Sequence, residues 1–320
     1  MAKPFVNPFV SGQFLELRVD ALVSDGRGLG RHDGVVVLVE DALPGQLVRA
    51  RVAAVRKSLA EAALVEVLER SPDEQEPPCP HAGRCGGCSW QSLAYGRQLA
   101  WKERIVHDAL ERVGKVACPP MLPILPSPSE WGYRNKMEFA FGVSGDGGKA
   151  LGLRERGSRN IVEVTGCLLQ RPLTMRVLEA VRMLSNGAFH DLDGRFLVVR
   201  EPNAGGCFVE LIVGAGGSLE AGERFAEALR AETPEVTGFA LSERLAPSDV
   251  AYGERALYAD GRLEERIGDV RLQMGHNAFF QVNTPAAELL YAEAARFAAL
   301  GELPDPVLWD VYGGVGSIGL

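Results

Sequence analysis

With 320 residues, 46% of them hydrophobic and 24% charged, the chain is large enough for two or three domains with cores of their own, and its composition excludes a disordered or fibrous protein. The formal net charge of −8 argues against a protein that coats nucleic acid nonspecifically, and no run approaches the length of a membrane span. The opening "MAKPFVNPFVSGQF" has no apolar stretch behind a basic start, so a cytoplasmic protein with reduced thiols is expected.

Residues 14–70 read as short strands with turn punctuation. "FLELRVDAL" alternates Leu15, Leu17, Val19 and Ala21 inward, "GVVVLVE" is a second strand, and "QLVRARVAAV" alternates through Val48, Ala50 and Val52. Four or five such strands in under sixty residues predict a small closed barrel of the OB type over 10–70. This segment is locally basic: residues 1–57 hold eight Lys/Arg against six Asp/Glu. Residues 131–160 hold six against three, which suits a selective RNA partner and suits solvated strand edges equally.

"SPDEQEPPCP" is a boundary rich in proline and acid. Beyond it, "LAYGRQLAWKERIVHDALERVG" predicts a helix with Leu99, Val106, Leu110 and Val113 on one stripe and Gly114 as its cap. His107 on this helix has no second ligand at helical spacing and reads as a surface or packing histidine. From Trp131 to Gln281 the chain mixes strands with helices such as "PLTMRVLEAVRMLS", and an α+β domain with an antiparallel sheet is expected. The end holds a helix, "PAAELLYAEAARFAAL", then "PVLWDVYGGVGSIGL", which reads as a strand, a glycine turn and a helix start.

Two motifs carry chemistry. Cys79, Cys85 and Cys88 lie within ten residues of a chain with six cysteines, and thiolates so clustered can wrap one soft metal centre. Gly86 and Gly87 would let that loop curl and point N–H groups at sulfur. Cys167 is the best fourth donor, with Cys118, Cys207 and a cramped His81 as others. Spacing alone does not separate zinc from iron–sulfur. The second motif is "GVGSIG", with Gly314, Gly316 and Gly319 in the G-x-G-x-x-G pattern, a weak dinucleotide signature by itself.

Taken together, the barrel, the cysteine loop and the glycine turn resemble the iron–sulfur RNA (uracil-C5) methyltransferases that carry an N-terminal TRAM domain. The resemblance runs from about Phe14 to Leu320. "GRGLGRHDGVVVLVEDALPGQLVRARV" is similar to the TRAM signature and "PPCPHAGRCGGCSWQSLAYGRQLAWKERIV" to the cluster loop; "GYRNKMEF", "LGLRERGSRNIVEVTGC", "NAFFQVN" and "LWDVYGGVGSIGL" follow in family order. It implies a [4Fe–4S] cluster on Cys79, Cys85, Cys88 and Cys167. It implies S-adenosylmethionine, not NAD, at the glycine turn, touched by Gln281, Tyr312 and Ser317. Arg134 and Lys136 in "YRNKMEF" share one strand face and are expected to meet RNA phosphate. The implied architecture is multidomain. A TRAM barrel occupies 10–70, an iron–sulfur central domain 78–97 plus 131–280, and the start of a Rossmann-like α/β methyltransferase domain 98–130 plus 281–320.

The implied reaction is methylation of a uridine C5, with 23S rRNA favoured over tRNA and a monomer expected. Uracil C5 is a poor nucleophile, so a thiolate adds at C6, the enolate takes the methyl group, and a base removes the C5 proton. The resemblance places that thiolate and base after Leu320, which implies a truncated chain, inactive alone. Cys118, in a proline linker, and Cys207, in a strand pattern, read as structural. Two alternatives stay open: an RNA-binding iron–sulfur fragment without catalysis, and an iron–sulfur or NAD-linked redox enzyme.

Overall fold

The computed structural model describes residues 7–214, 217–302 and 304–319. The chain divides into two compact units, Met1–Ala82 with Cys88–Pro126, and Gly83–Gly87 with Ser127–Leu320.

In the first unit, β1 (Phe14–Leu22), β2 (Gly28–His32), β3 (Val35–Glu40), β4 (Leu47–Val55) and β5 (Leu59–Glu69) close into a barrel in the order β1-β2-β3-β5-β4. Neighbours are antiparallel except β3 and β5, which run parallel. The period-2 pattern predicts the interior: Leu15, Leu17, Val19, Val48, Ala50 and Val52 are all buried. Ala21 departs from it. A bulge between Val19 and Ala21 shifts the register, so Leu22 points in instead. Opposite that bulge Gly30 is obligatory, because a Cβ there would lie 2.3 Å from the Arg18 carbonyl oxygen.

α1 (Tyr95–Asp108), continued by one wider turn over Ala109–Val113, belongs to this same unit. The helix expected to join residues 281–320 is thus grouped with the barrel. Trp101 and Ile105 pack with Leu22, Leu43 and Leu93, whereas Val106 and Val113 of the predicted stripe are exposed. The left-handed residue that ends the helix is Lys115, at φ 56°, and Gly114 stays helical.

The second unit is built on a seven-stranded sheet. Its members are β6 (Lys136–Val143), β7 (Lys149–Arg154), β8 (Ile161–Val162), β9 (Gly194–Arg200), β10 (Cys207–Val213), β11 (Val236–Glu243) and β12 (Arg255–Asp260), ordered β12-β11-β10-β9-β6-β7-β8. It is not wholly antiparallel as expected: β10 and β11 are parallel. The helix between them, α3 (Leu219–Glu232), carries the chain back to the same sheet end, which only a parallel pair permits. α3 and α2 (Pro172–Asn186) cover one face, with Val177, Leu178, Phe225 and Leu229 against Phe139, Val209, Phe239 and Leu241. The hairpin β13 (Leu263–Ile267) and β14 (Val270–Met274), with α4 (Thr284–Ala298), supplies Leu263, Leu272 and Ala287 to a core around Phe208 and Ala240 on the other face.

The strand and helix expected over "PVLWDVYGGVGSIGL" are not formed. Residues 304–319 make only turns, Trp309 is 81% exposed and Tyr312 fully so. A strand needs a neighbour for its backbone groups, and among the described residues none pairs with this stretch.

Candidate functional site

The three residues expected to touch a cofactor meet different neighbours. Gln281 is half-buried, and its carbonyl oxygen accepts a hydrogen bond from Asn135 Nδ2 at 3.0 Å. Ser317 Oγ lies 3.1 Å from Tyr291 Oη, beside a hollow of 190 Å³ that Ile267, Gly268, Val270 and Glu288 also line. That is below the roughly 300–1,000 Å³ of an ordinary cofactor pocket. Tyr312 is fully exposed and takes a left-handed φ of 63°.

Around Gln281 the fold builds a buried polar network that pattern reading missed. Asn135 Nδ2 also donates to Thr284 Oγ1 at 2.8 Å and to Glu265 Oε2 at 3.2 Å, and the Asn135 N–H donates to the Val282 carbonyl at 2.8 Å. Glu265 is 1% exposed and accepts at Oε1 from the backbone N–H groups of Asn203 and Arg266. Burial pushes its carboxyl above the usual range, and those donors offset only part of that effect. The signal was present: alternation in "LEERI" puts Glu265 on the same side as Leu263 and Ile267, which are buried. The network fixes the start of α4, which Asn283 caps by accepting from the Ala286 N–H.

The cysteine loop is less regular than its motif suggests. Cys79, Cys85, Cys88 and Cys167 are all half-buried, Cys79 and Cys88 falling in the first unit, Cys85 and Cys167 in the second. The Gly86 N–H donates to the Arg154 carbonyl at 3.0 Å, and the left-handed glycine of this loop is Gly83, at φ 79°, not Gly86 or Gly87. Among the described residues no three His, Cys, Asp or Glu side chains are gathered as a metal-holding group. By type the four thiols suit a cluster, and thiolate sites are commonly assembled by their metal. Cys207 stands apart, buried inside β10, where burial pushes its thiol up to about 12.

Comparison with known proteins decides the family. The TRAM domain family matches residues 8–65, the segment that forms the barrel. A Nitratidesulfovibrio vulgaris protein described as an uncharacterized RNA methyltransferase is 45% identical over 324 residues, an alignment spanning 98% of this chain and 69% of the relative. A Synechocystis protein so described is 32% identical, over 97% of this chain and 68% of its own. The chain belongs to the RNA methyltransferase family. Its fold is also that of a solved structure, the Pyrococcus abyssi tRNA (uracil-54, C5)-methyltransferase with S-adenosyl-L-homocysteine, at a TM-score of 0.69 and 24% identity over 95% of this chain and 69% of that one.

In this RNA methyltransferase the two cations of "YRNKMEF" lie as alternation predicts, opposite the buried Asn135 and Met137. Neither is bare. Arg134 Nε donates to the Lys136 carbonyl at 2.9 Å, and Lys136 Nζ pairs with Glu138 at 2.6 Å. The sequence reading missed Glu138, two residues on along the same side of β6.

Proposed function

We propose that this chain serves transfer of the S-adenosylmethionine methyl group to C5 of a uridine in RNA, with 23S rRNA the favoured substrate. The observation that carries the reading is the segment 279–284. It contains Gln281, which the resemblance assigns to the cofactor, and its only regular pairing before α4 begins, among the described residues, is an isolated bridge between Asn283 and Arg134, yet its backbone is also tied to Asn135 at Gln281 and Val282. A cofactor contact held that way needs no reordering when the cofactor arrives. When bound, S-adenosylmethionine supplies the electrophilic methyl group. The chain's part is to hold Gln281, to place the RNA through the barrel and Arg134, and to keep the reacting pair oriented. Cys207 is not the attacking thiolate: a thiol with a pKa of about 12 is almost wholly protonated at neutral pH.

Comparing nucleosides from cells with and without the gene tests the reading. 5-Methyluridine should be lost from one 23S rRNA site and return on complementation. Loss confined to tRNA would move the substrate; an unchanged level in both would refute the assignment.

Arg134 and Lys136 enter this reading as phosphate contacts. Because Glu138 already neutralises Lys136, replacing both cations with Ala should reduce the salt slope of RNA binding by about one phosphate's worth rather than two. The [4Fe–4S] cluster on Cys79, Cys85, Cys88 and Cys167 is carried as an implication of the resemblance, and no step of the reaction is routed through it. Anaerobically purified protein should hold iron and acid-labile sulfide in similar amounts, and Cys167→Ser should lose both. Stoichiometric zinc in their place would refute the cluster.

A further inference from the structure

The sheet face opposite α2 and α3 carries two buried charges that the reaction does not use. Arg200, on β9, is 6% exposed, and Glu210, on β10, is 2% exposed. They stand one diagonal apart, since Phe208 faces Arg200 and Glu210 faces Val198 in the register. Apolar side chains share this face, Phe196, Val198, Phe208, Ala240 and Ile212, with the carboxylates of Glu138 and Glu265 near enough to act on Arg200 and the buried Ser242 beside Glu210. Burial depresses the Arg200 guanidinium even with Glu210 nearby. Neither group is fully satisfied: among the described residues Arg200 Nε and Glu210 Oε1 have no hydrogen-bond partner. As a source of stability such a pair is poor, because well-packed apolar side chains at both positions would serve as well or better.

What the pair does touch is the stretch leading to Gln281. Arg200 Nη2 donates to the Ala278 carbonyl at 2.7 Å. His276 Nε2 lies 3.7 Å from Glu210 Oε1, and its ring stacks on Phe208 with 6.1 Å between centroids and 5° between planes. The next inward residue, Phe280, is 4% exposed in the core around Phe208. Even-numbered positions 276, 278 and 280 are therefore held against the sheet, while Phe279 between them is 75% exposed. Among the described residues, 275–281 have no strand partner to fix this course. A carbonyl bound by a buried guanidinium fixes both position and direction, which apolar packing alone does not. Opposite them Gly253 closes over the pair, since a Cβ there would come within 2.8 Å of Glu210 Oε1 and 2.3 Å of Ser242 Cβ.

We propose that Arg200 and Glu210 are positioning residues, acting through the Ala278 carbonyl and the His276 ring to set the course of residues 276–281 and so the placement of Gln281 against the cofactor. The proposal rests on the reading of Gln281 as a cofactor contact. It is tested on the full chain with the double variant Arg200→Met/Glu210→Met, which leaves no lone buried charge, and with Arg200→Lys, which keeps a donor for Ala278. Three quantities are measured: the melting temperature, amide hydrogen exchange over 276–282, and the Kd for S-adenosylmethionine.

The double variant should melt no lower than the parent, exchange faster over 277–281, and bind S-adenosylmethionine more weakly by on the order of tenfold to a hundredfold. Arg200→Lys should restore much of both the slow exchange and the affinity. A double variant with unchanged affinity, whatever its melting temperature, would overturn the proposal when Gln281→Ala weakens binding. If Gln281→Ala also leaves the affinity unchanged, the cofactor reading itself has failed. Should the double variant not fold, Glu210→Gln, which keeps the shape and removes the charge, takes its place: it leaves Arg200 without its counter-charge and should melt lower, it should show the same changes in exchange and affinity, and unchanged exchange and affinity in it would overturn the proposal.

Discussion

Among the described residues the barrel interior holds Leu15, Val37, Val48 and Ala60 and no ionisable group, whereas the second unit buries Arg200, Glu210, Glu243 and Glu265. Both regions are made of alternating strands, so the difference is not one of secondary structure. In the barrel, alternation holds along β1 up to the bulge at Ala21 and along β4 as far as Val52: the charges of both strands lie outside and Leu15, Leu17, Val19, Val48, Ala50 and Val52 lie inside. In the second unit only the face under α2 and α3 is of that kind. The face under 263–284 mixes apolar side chains with a network running from Asn135 through Glu265 and Thr284 to Gln281. The contrast teaches where stability is made and where geometry is specified. Apolar packing supplies the first in both regions, and buried polar contacts supply the second in one.

Truncating the apolar face should have the largest effect. Phe139→Ala removes a fully buried ring from β6 and should lower stability by about 3–5 kcal/mol, seen as an earlier midpoint in urea. A loss below 1 kcal/mol would mean that this face is not the main source of stability. In the barrel, Gly30→Ala should cost about 1–3 kcal/mol by overpacking against the Arg18 carbonyl. Asn135→Ala should cost about 1–3 kcal/mol by removing the amide that donates to Thr284, to Glu265 and to the Gln281 carbonyl, and should also speed amide exchange at 281–284, as Gly30→Ala should not.

Glu265 sharpens the comparison through pH. Its folded-state pKa is raised by burial, so the folded protein holds this proton more tightly than the unfolded chain does. The resulting stability is present below the ordinary carboxylate range and is lost as pH rises through the raised value. Glu265→Gln should flatten the melting temperature across that window; an unchanged pH profile would place the titration elsewhere. The smallest effect belongs to the barrel surface. Arg18 and Glu69 form an ion pair with both side chains about half exposed, and a double-mutant cycle should find a coupling of about 0–1 kcal/mol that fades with salt.

What the sequence made legible follows from the same contrast. Much of the barrel could be read because alternation determines which side chains are inside; the bulge at Ala21 escaped, since a bulge leaves the composition unchanged, and so did β2, whose glycines read as punctuation and not as a strand. The parallel pair β10–β11 was missed because "CFVELIV" is buried on both faces, which erases the period that would have revealed its setting. The helix stripe on α1 was misplaced: Trp101 and Ile105 pack against the core and Val106 is exposed, a rotation of the apolar face that the spacing of Leu99, Val106, Leu110 and Val113 did not reveal. In the candidate site, Gln281 was legible only through the resemblance. Asn135 and Glu265, which lie 130 residues apart in sequence, meet only once the sheet exists. The cysteine motif was plain, but the glycine that turns its loop was not, because Gly83, Gly86 and Gly87 look alike until their backbone angles are known.

The reading of this RNA methyltransferase as a uracil-C5 enzyme is tested most directly at the hydrogen that the reaction must displace. RNA transcribed with uridine tritiated at C5 is incubated with the protein and S-adenosylmethionine carrying a ¹⁴C-labelled methyl group. The account predicts that tritium appears in water in step with methyl incorporation, one released for each methyl group gained, because the methyl takes the place of the C5 hydrogen. Methyl incorporation with no release of tritium would contradict it.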